Sequence, residues 1–367
     1  MNWYGIENIN TIDSPALVVY KERAKENISL LLQMVGNDPA RVRPHVKTNK
    51  ISEVCQLMLD AGIDRFKCAT IAEAEMLALI SAKDVLLAYQ PVGPKAQRLI
   101  QLIKTYPQTK FSCVFDTSET AAYLSKLAVE NNCHVDLFID LNTGMNRTGI
   151  KAADALQLFK EVAGLPNISV IGLHGYDGHI RDTDTAERKA KADAAYKEIT
   201  SLKEAIESVT KQALTIVAGG SPTFPVHAKR LNMECSPGTF VFWDWGYKHQ
   251  TPDEPFDYAA LVVTRVISIV DATHVTTDLG HKAVAAENPF PRVHFLNAPE
   301  ATPVGQSEEH LVLEVPDSSQ YKVGDVLYGV PVHICPTVAL YDSAVVIKDH
   351  KAVGTWKVVS RDRKITV

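Results

Sequence analysis

The six cysteines of this chain form no CxxC pair and no close cluster, so Cys55, Cys68, Cys113, Cys133, Cys235 and Cys335 read as free thiols of a reducing compartment. The opening MNWYGIENINTIDSP lacks the basic and apolar regions of a secretion signal, and no apolar run approaches the roughly 18 residues of a spanning helix. The expectation is a cytoplasmic protein without a membrane partner. Neither sign of charge dominates: 38 basic and 43 acidic residues are scattered along the chain, for a net charge of −5, which implies no nucleic-acid groove. Internal repeats and low-complexity stretches are missing as well. What is present is 367 residues, 46% hydrophobic and 22% charged. That is a globular composition at a length beyond one usual core, which calls for a large domain plus a smaller one, or two medium ones.

From Ala16 to about Cys235, short β-branched or apolar runs alternate with longer segments of helical period, the pattern of βα units. After the run PALVVY and a helix near Glu22 to Val35, strands are expected at 41–46, 65–69, 84–88, 111–115, 135–139, 170–174, 214–218 and 231–235. Eight such strands predict an α/β fold, a (β/α)8 TIM-type barrel. Thr70 with Glu73 reads as a capping box, and Gly62 as the stop of the preceding helix. The stretch SPGTFVFWDWGYKHQTPDEPFD crowds aromatics, Pro and Gly without a period and marks the junction, with Trp243 and Trp245 as core rather than a substrate cage. From Tyr258 onward ALVVTRVISIV, HLVLEV, DVLYGV and KAVGTWKVVS alternate without long helices, which predicts a C-terminal all-β domain. The expected division is residues 13–250 for the barrel and 251–367 for the β domain, with residues 1–12 as a candidate addition to the latter.

Barrel chemistry sits in the loops that follow the strands. Lys47, in RPHVKTNK after the first barrel strand, is either solvated, as most lysines are, or a Schiff-base lysine whose amine condenses with an aldehyde. After the fifth strand, DLNTGMNRTGI holds Arg147 between Gly144 and Gly149, where a guanidinium either ties loops together or forks onto an anionic oxygen. After the sixth, HGYDGHI brings His174, Tyr176, Asp177 and His179 into one loop, for stacking and proton transfer or for a structural network beneath it. VAGGSPT after the seventh offers Gly219, Gly220, Ser221 and Thr223, and SPGT after the eighth offers Gly238 and Thr239. Either glycine motif alone marks an ordinary turn. Both at these strands suggest a phosphate cup of N–H groups and hydroxyls. In the β domain, VPVHICPTVALYD puts His333 and Cys335 two apart, on one face of an extended segment. Imidazole plus thiolate is a zinc-type pair that leaves coordination positions open, the alternative being a core cysteine beside a satisfied histidine.

A lysine, an arginine, an aromatic loop and a phosphate cup in this order describe a pyridoxal-phosphate site. The segments PALVVY, RPHVKTNK, CATIAEAEML, GMNRTG, GLHGYDGH, GGSPT, SPGTFVFWD, SEEH and HICPTVALYD resemble the D-threonine aldolase and D-serine dehydratase-like proteins. These are fold-type III pyridoxal-phosphate enzymes, alongside alanine racemase, and the resemblance spans about residues 13–342. It implies a barrel, a C-terminal β domain and a homodimer. By the same resemblance Lys47 is the Schiff-base lysine, Arg147 the partner of the cofactor's phenolic oxygen, and His174 the ring stacked on it. Tyr176 lies near cofactor and substrate, while Gly219, Gly220, Ser221, Gly238 and Thr239 hold the phosphate. His333 and Cys335 match the ligands of zinc, with manganese as the alternative. Val332 stands where the family's PNHxC frequently has Asn, which removes a hydrogen bond beside the ligands.

The reaction this implies acts on a small D-3-hydroxy amino acid: D-serine, D-threonine or 3-hydroxyaspartate. Removal of the α-proton by Lys47 and departure of the metal-held hydroxyl give a 2-oxo acid and ammonia, a dehydratase. Removal of the hydroxyl proton instead breaks Cα from Cβ and gives glycine and an aldehyde, an aldolase. Cys335 favours the dehydratase, because the family's aldolases more often carry HxD. Competing readings are a racemase using Tyr328 or Tyr341, a decarboxylase in which Cys335 donates a proton, a cofactor carrier, and a class I aldolase in which Lys47 works without cofactor.

Overall fold

In a computed structural model, which describes residues 2–210 and 212–367, most of the β-branched runs become strands. In chain order the first eight are β1 (Ala16–Tyr20), β2 (Arg65–Cys68), β3 (Asp84–Leu87), β4 (Lys110–Phe115), β5 (Val135–Leu141), β6 (Ile168–Gly175), β7 (Thr215–Ala218) and β8 (Glu234–Cys235). Next come β9 (Ala260–Ile269), β10 (His274–Thr277), β11 (Val293–Phe295), β12 (Thr302–Gln306), β13 (Leu311–Glu314), β14 (Val326–Pro331), β15 (Ser343–Lys348) and β16 (Lys351–Lys357). The helices between the early strands are α1 (Lys21–Met34), α2 (Ser52–Asp60), α3 (Ile71–Leu79), α4 (Pro94–Thr105), α5 (Ser118–Glu130), α6 (Ala152–Val162) and α7 (Thr185–Thr210). Three short ones follow: α8 (Phe224–His227), α9 (Trp245–Gln250) and α10 (Ile334–Val338). Among the described residues, no helix is long and apolar enough to cross a membrane.

Two compact units result, one of Leu31–Lys47, Cys55–Gly238 and Asp362–Val367, the other of residues up to Leu30, Thr48–Val54 and Thr239–Arg361. The first unit is built on a seven-stranded sheet in the order β2-β3-β4-β5-β6-β7-β8, each neighbouring pair parallel. Most residues of its strands are buried, charged ones such as Lys67 and Asp140 included, and Leu86, Val114, Phe138 and Val217 pack into one buried cluster. Local signals land where the sequence puts them. Thr70 Oγ1 accepts from Glu73 N at 3.1 Å, while the Glu73 carboxylate reaches back to Ala69 N at 2.6 Å. Gly62, at φ +90°, ends α2 with its N–H on Leu59.

The eight-stranded ring is where expectation and structure differ. Residues 41–46 are not a strand; they make isolated bridges, Val42 with Cys235 and His45 with Lys67, and so link the two edge strands of the sheet. Pro44 has no N–H to donate, so a regular ladder cannot run through the segment. β8 is likewise two residues rather than five. The result is an α/β fold with a parallel sheet whose closure as regular strands is incomplete.

The second unit is all-β in its sheet. Its order is β12-β13-β10-β9-β1-β15-β16, with β14 pairing β9 and β11. β1 lies antiparallel to β9 (Val18 opposite Leu261) and parallel to β15 (Val18 opposite Val345), and all five of its residues are buried. PALVVY is therefore a central strand of this sheet, contributed from the start of the chain. Trp243 is fully buried in the same unit, stacked 5.3 Å from Tyr247 and 5.2 Å from Phe256.

Candidate active site

In the first unit, the expected residues gather past the C-terminal ends of β5, β6 and β7. Lys47 is exposed, in the turn after the bridged segment, with its N–H on His45 Nδ1 at 3.2 Å. The loop after β5 folds back on itself through Asn142 N to Ile150 O and Ile150 N to Asp140 O, both 2.9 Å. Gly149 makes this possible: its φ is +95° and a Cβ there would lie 2.6 Å from Asn142 N. The loop sets the Arg147 guanidinium 5.1 Å above the Tyr176 ring. His174, buried near the end of β6, has Nδ1 2.7 Å from Asp140 Oδ1 and Nε2 3.4 Å from the Lys67 amine. Asp140, Thr143, Arg147, His174 and Tyr176 line one cleft.

Charge in this cleft is set by burial and neighbours. Burial, helped by the charge of Lys47, brings Lys67 down from 10.5 to about 7, against the pull of Asp140 and Asp177 and with a further push from Arg43. Burial also lowers His174, as do the charges of Lys67 and Arg147, and Asp140 offsets this only in part. Burial would raise Asp140, but the hydrogen bonds of His174 and Thr148 and the charges of His174 and Lys67 outweigh it and hold the carboxyl below its usual range.

The two glycine loops meet beside this cleft. Gly219 has φ +84°, and a Cβ on it would come 2.6 Å from His227 Cδ2; one on Gly220 would come 2.9 Å from the Tyr176 ring. Ser221 Oγ accepts from Gly238 N at 3.3 Å, and Gly220 N donates to Thr223 Oγ1 at 3.3 Å. Beneath them Asp177 is buried and takes Thr223 Oγ1 at 2.7 Å and His227 Nε2 at 2.8 Å. Asp177 thus braces the loop, while His179 is exposed. Backbone free of side-chain carbon at Gly219 and Gly220 is the cradle a phosphate needs, so the residues present fit pyridoxal phosphate.

In the second unit, His333 and Cys335 do meet, although not along an extended strand. His333 is extended (φ −135°, ψ 102°) and caps α10, which already contains Cys335. Cys335 Sγ lies 3.1 Å from Thr48 Oγ1 and 3.7 Å from Thr239 Oγ1, so the Thr239 hydroxyl, expected at a phosphate, is directed to the thiol. Burial works against protonation of His333, but its hydrogen bond to Cys335, the charge there, Glu287 and Asp244 raise it to about 9. Glu287 Oε1 holds His333 Nδ1 at 2.5 Å and supplies the partner that Val332 cannot. Among the described residues, no three His, Cys, Asp or Glu side chains cluster for a metal. An imidazole and a thiol held together fit a metal with open positions. Of the two tyrosines, Tyr341 is tied by its hydroxyl to Ala283 O at 2.7 Å, and burial raises it. Tyr328 is buried in the apolar cluster with Leu261 and Val263.

Lys67, Asp140, His227, Glu287 and Thr48 are the participants that sequence reasoning missed. Lys67 left a trace, a charged residue inside the strand RFKC. The others have no local pattern.

Fold and site together define a pyridoxal-phosphate-dependent lyase of fold type III. The chain belongs to the family of the alanine racemase N-terminal domain, whose model matches residues 19–244, and a serine dehydratase domain model matches residues 259–347. It is 26% identical to the D-threonine aldolase of an Arthrobacter species, covering 95% of this chain and 93% of the relative. The 3-hydroxy-D-aspartate aldolase of Paracoccus denitrificans is 29% identical over 96% and 93%. The D-threo-3-hydroxyaspartate dehydratase of a Delftia species is 24% identical over 96% and 98%. Among solved structures, D-threonine aldolase from Filomicrobium marinum superposes with a TM-score of 0.88 at 25% identity, over 98% of both chains. A D-threo-3-hydroxyaspartate dehydratase, solved as a cysteine-to-alanine variant in a metal-free form, shares the fold with a TM-score of 0.83 at 22% identity over 95% and 97%.

Proposed function

We propose that this chain is a metal-assisted dehydratase of D-3-hydroxy amino acids, releasing a 2-oxo acid and ammonia from D-serine, D-threonine or 3-hydroxyaspartate. The observation that carries this reading is the thiol of Cys335, hydrogen-bonded to His333 and 3.1 Å from Thr48 Oγ1. A second reading, aldolase, is favoured by the two aldolases at 26% and 29% identity.

Pyridoxal phosphate would be held within residues 13–250 by Lys47, Arg147, His174 and Tyr176, with Gly219, Gly220, Ser221 and Gly238 for its phosphate and Thr239 reaching it through its backbone rather than its hydroxyl. Bound there, it supplies an electron sink for bond breaking at Cα. Lys47 anchors it through the amine and takes the α-proton; Arg147 binds an anionic oxygen. His174 stays uncharged between Asp140 and Lys67 and gives the site a fixed flat ring. His333 and Cys335, in the 251–367 β domain, would hold zinc, or manganese in its place, and a metal there supplies positive charge to a departing hydroxyl. Glu287 orients His333 for that task. The same reading makes the protein a cytoplasmic homodimer.

The test is NMR product analysis of the full chain with D-threonine, pyridoxal phosphate and zinc, beside Cys335→Ala. We expect 2-oxobutyrate and ammonia, falling at least about 100-fold in the variant. Glycine and acetaldehyde would replace this reading by the aldolase. Epimerised threonine would replace it by the racemase.

A further inference from the structure

We propose that Lys67 is a positioning residue of this site: from β2 its amine holds Nε2 of His174 and keeps that ring uncharged, in the single tautomer with its proton on Nδ1. The inference rests on the cofactor reading above for its purpose, and on the geometry of the chain for its content.

Strand alternation puts Lys67 on the opposite face from Phe66 and Cys68, where it is 1% exposed. Its backbone is fixed on the Lys47 side by Val46 N to Lys67 O and Lys67 N to Pro44 O, both 2.9 Å. Its amine stands 3.4 Å from His174 Nε2 and 5.6 Å from the centre of the Tyr176 ring. The charged groups that act on it come from four places: Asp140 from β5, Asp177 after β6, Lys47 from the turn before α2, and Arg43 from the bridged segment. Arg147 acts on His174 in the same sense as Lys67.

Only one hydrogen-bond assignment satisfies this array. Asp140, held ionised, offers lone pairs alone, so Nδ1 must donate to it. Below about pH 7 Lys67 is an ammonium with donors alone, so Nε2 must accept; above that its neutral amine still has N–H to give to the bare Nε2. A carboxylate that accepts and an ammonium that donates leave the imidazole one proton, on Nδ1. A positively charged His174 would face Lys67 and Arg147, and Asp140 relieves this only in part. An apolar side chain of the same length would fill the volume at β2 and do none of this.

The experiment is 15N NMR of the full chain labelled in the histidine rings, with and without pyridoxal phosphate, His174 being assigned by its loss in H174Q. In the wild type we expect His174 as the Nδ1–H tautomer, uncharged at neutral pH and with its midpoint below that of an ordinary imidazole. In K67M the midpoint should rise by about one pH unit, with circular dichroism unchanged, and K67R should restore it. A doubly protonated or Nε2–H His174 in the wild type at neutral pH would overturn the proposal. So would a K67M midpoint equal to the wild type, or a K67R midpoint equal to K67M, which would reduce Lys67 to packing. The ring signals are read in the protein without cofactor as well. A failed product assay therefore leaves this result standing, and a failed titration leaves the lyase reading standing.

Discussion

At the scale of single residues, the glycine at the end of β7 shows how backbone conformation and site chemistry share one position. Gly219 sits at φ +84°, a region that L side chains enter only with strain, and the missing Cβ is what lets it lie against His227. A methyl group there would strain the backbone by about 1–2 kcal/mol and press on a ring that holds Asp177 at 2.8 Å. Asp177 in turn holds Thr223, which receives the Gly220 N–H. The disturbance passes through three hydrogen bonds into the cradle. We expect Gly219→Ala to fold and to bind pyridoxal phosphate about tenfold more weakly, by roughly 1.4 kcal/mol, as read by absorbance titration at constant circular dichroism. Unchanged affinity would remove this glycine from the phosphate site.

At the scale of elements, the segment 42–46 joins the edges of the parallel sheet with few backbone bonds and one buried charge cluster. Arg43, 2% exposed, gives Nε to Glu234 at 2.6 Å and its two terminal nitrogens to Asp84 at 2.6 and 3.0 Å. β8 and β3 are thereby tied to a stretch that Pro44 keeps from being a strand. Removing one partner of a buried ion pair leaves the other charge uncompensated and costs about 3–5 kcal/mol. Arg43→Met should therefore lower the urea midpoint of this unit sharply. The double change with Glu234→Leu should cost less than the two single changes added together, because each alone leaves the other's charge without its partner, although Asp84 and Arg65 also lose a partner; additive losses would show that the pair is not coupled. This cluster also explains what was legible. The alternation of VDLFI or DVLLA with helical segments names a parallel strand directly, so β2 to β7 could be placed from the sequence. RVRPHV and LNMEC have the composition of strands, but their state depends on a proline and on partners such as Arg43 and Glu234, 191 residues apart. Site residues divide in the same way. Arg147 follows β5 in a recognisable loop, His174 lies at the end of β6 and Lys47 comes after a segment of strand composition, whereas Lys67 and Glu287 matter only through side chains that the fold brings to them.

At the scale of the whole molecule, the buried amine of Lys67 should leave a mark on stability against pH. Its value falls from 10.5 in the unfolded chain to about 7 in the folded one, so between these values the unfolded state binds a proton that the folded state does not. Stability therefore rises with pH across that window. The penalty is complete below pH 7, where both states are charged and the folded one is poorly solvated, and it is gone above the unfolded value. Lys67→Met has no such proton. It should be more stable than the wild type near pH 6, by about 3 kcal/mol after allowing for the lost hydrogen bond to His174. That advantage should shrink by up to about 1.4 kcal/mol per pH unit as the solution is made alkaline. Urea unfolding of both proteins at several pH values reads the difference, and the comparison cancels the tyrosines and cysteines that titrate in the same range. A difference that stays constant with pH would mean that Lys67 keeps its proton in the folded state, with Asp140 and Asp177 outweighing burial. A difference that shrinks on alkalinisation would mean that the parallel-sheet unit is less stable at neutral pH because it keeps an amine beside His174.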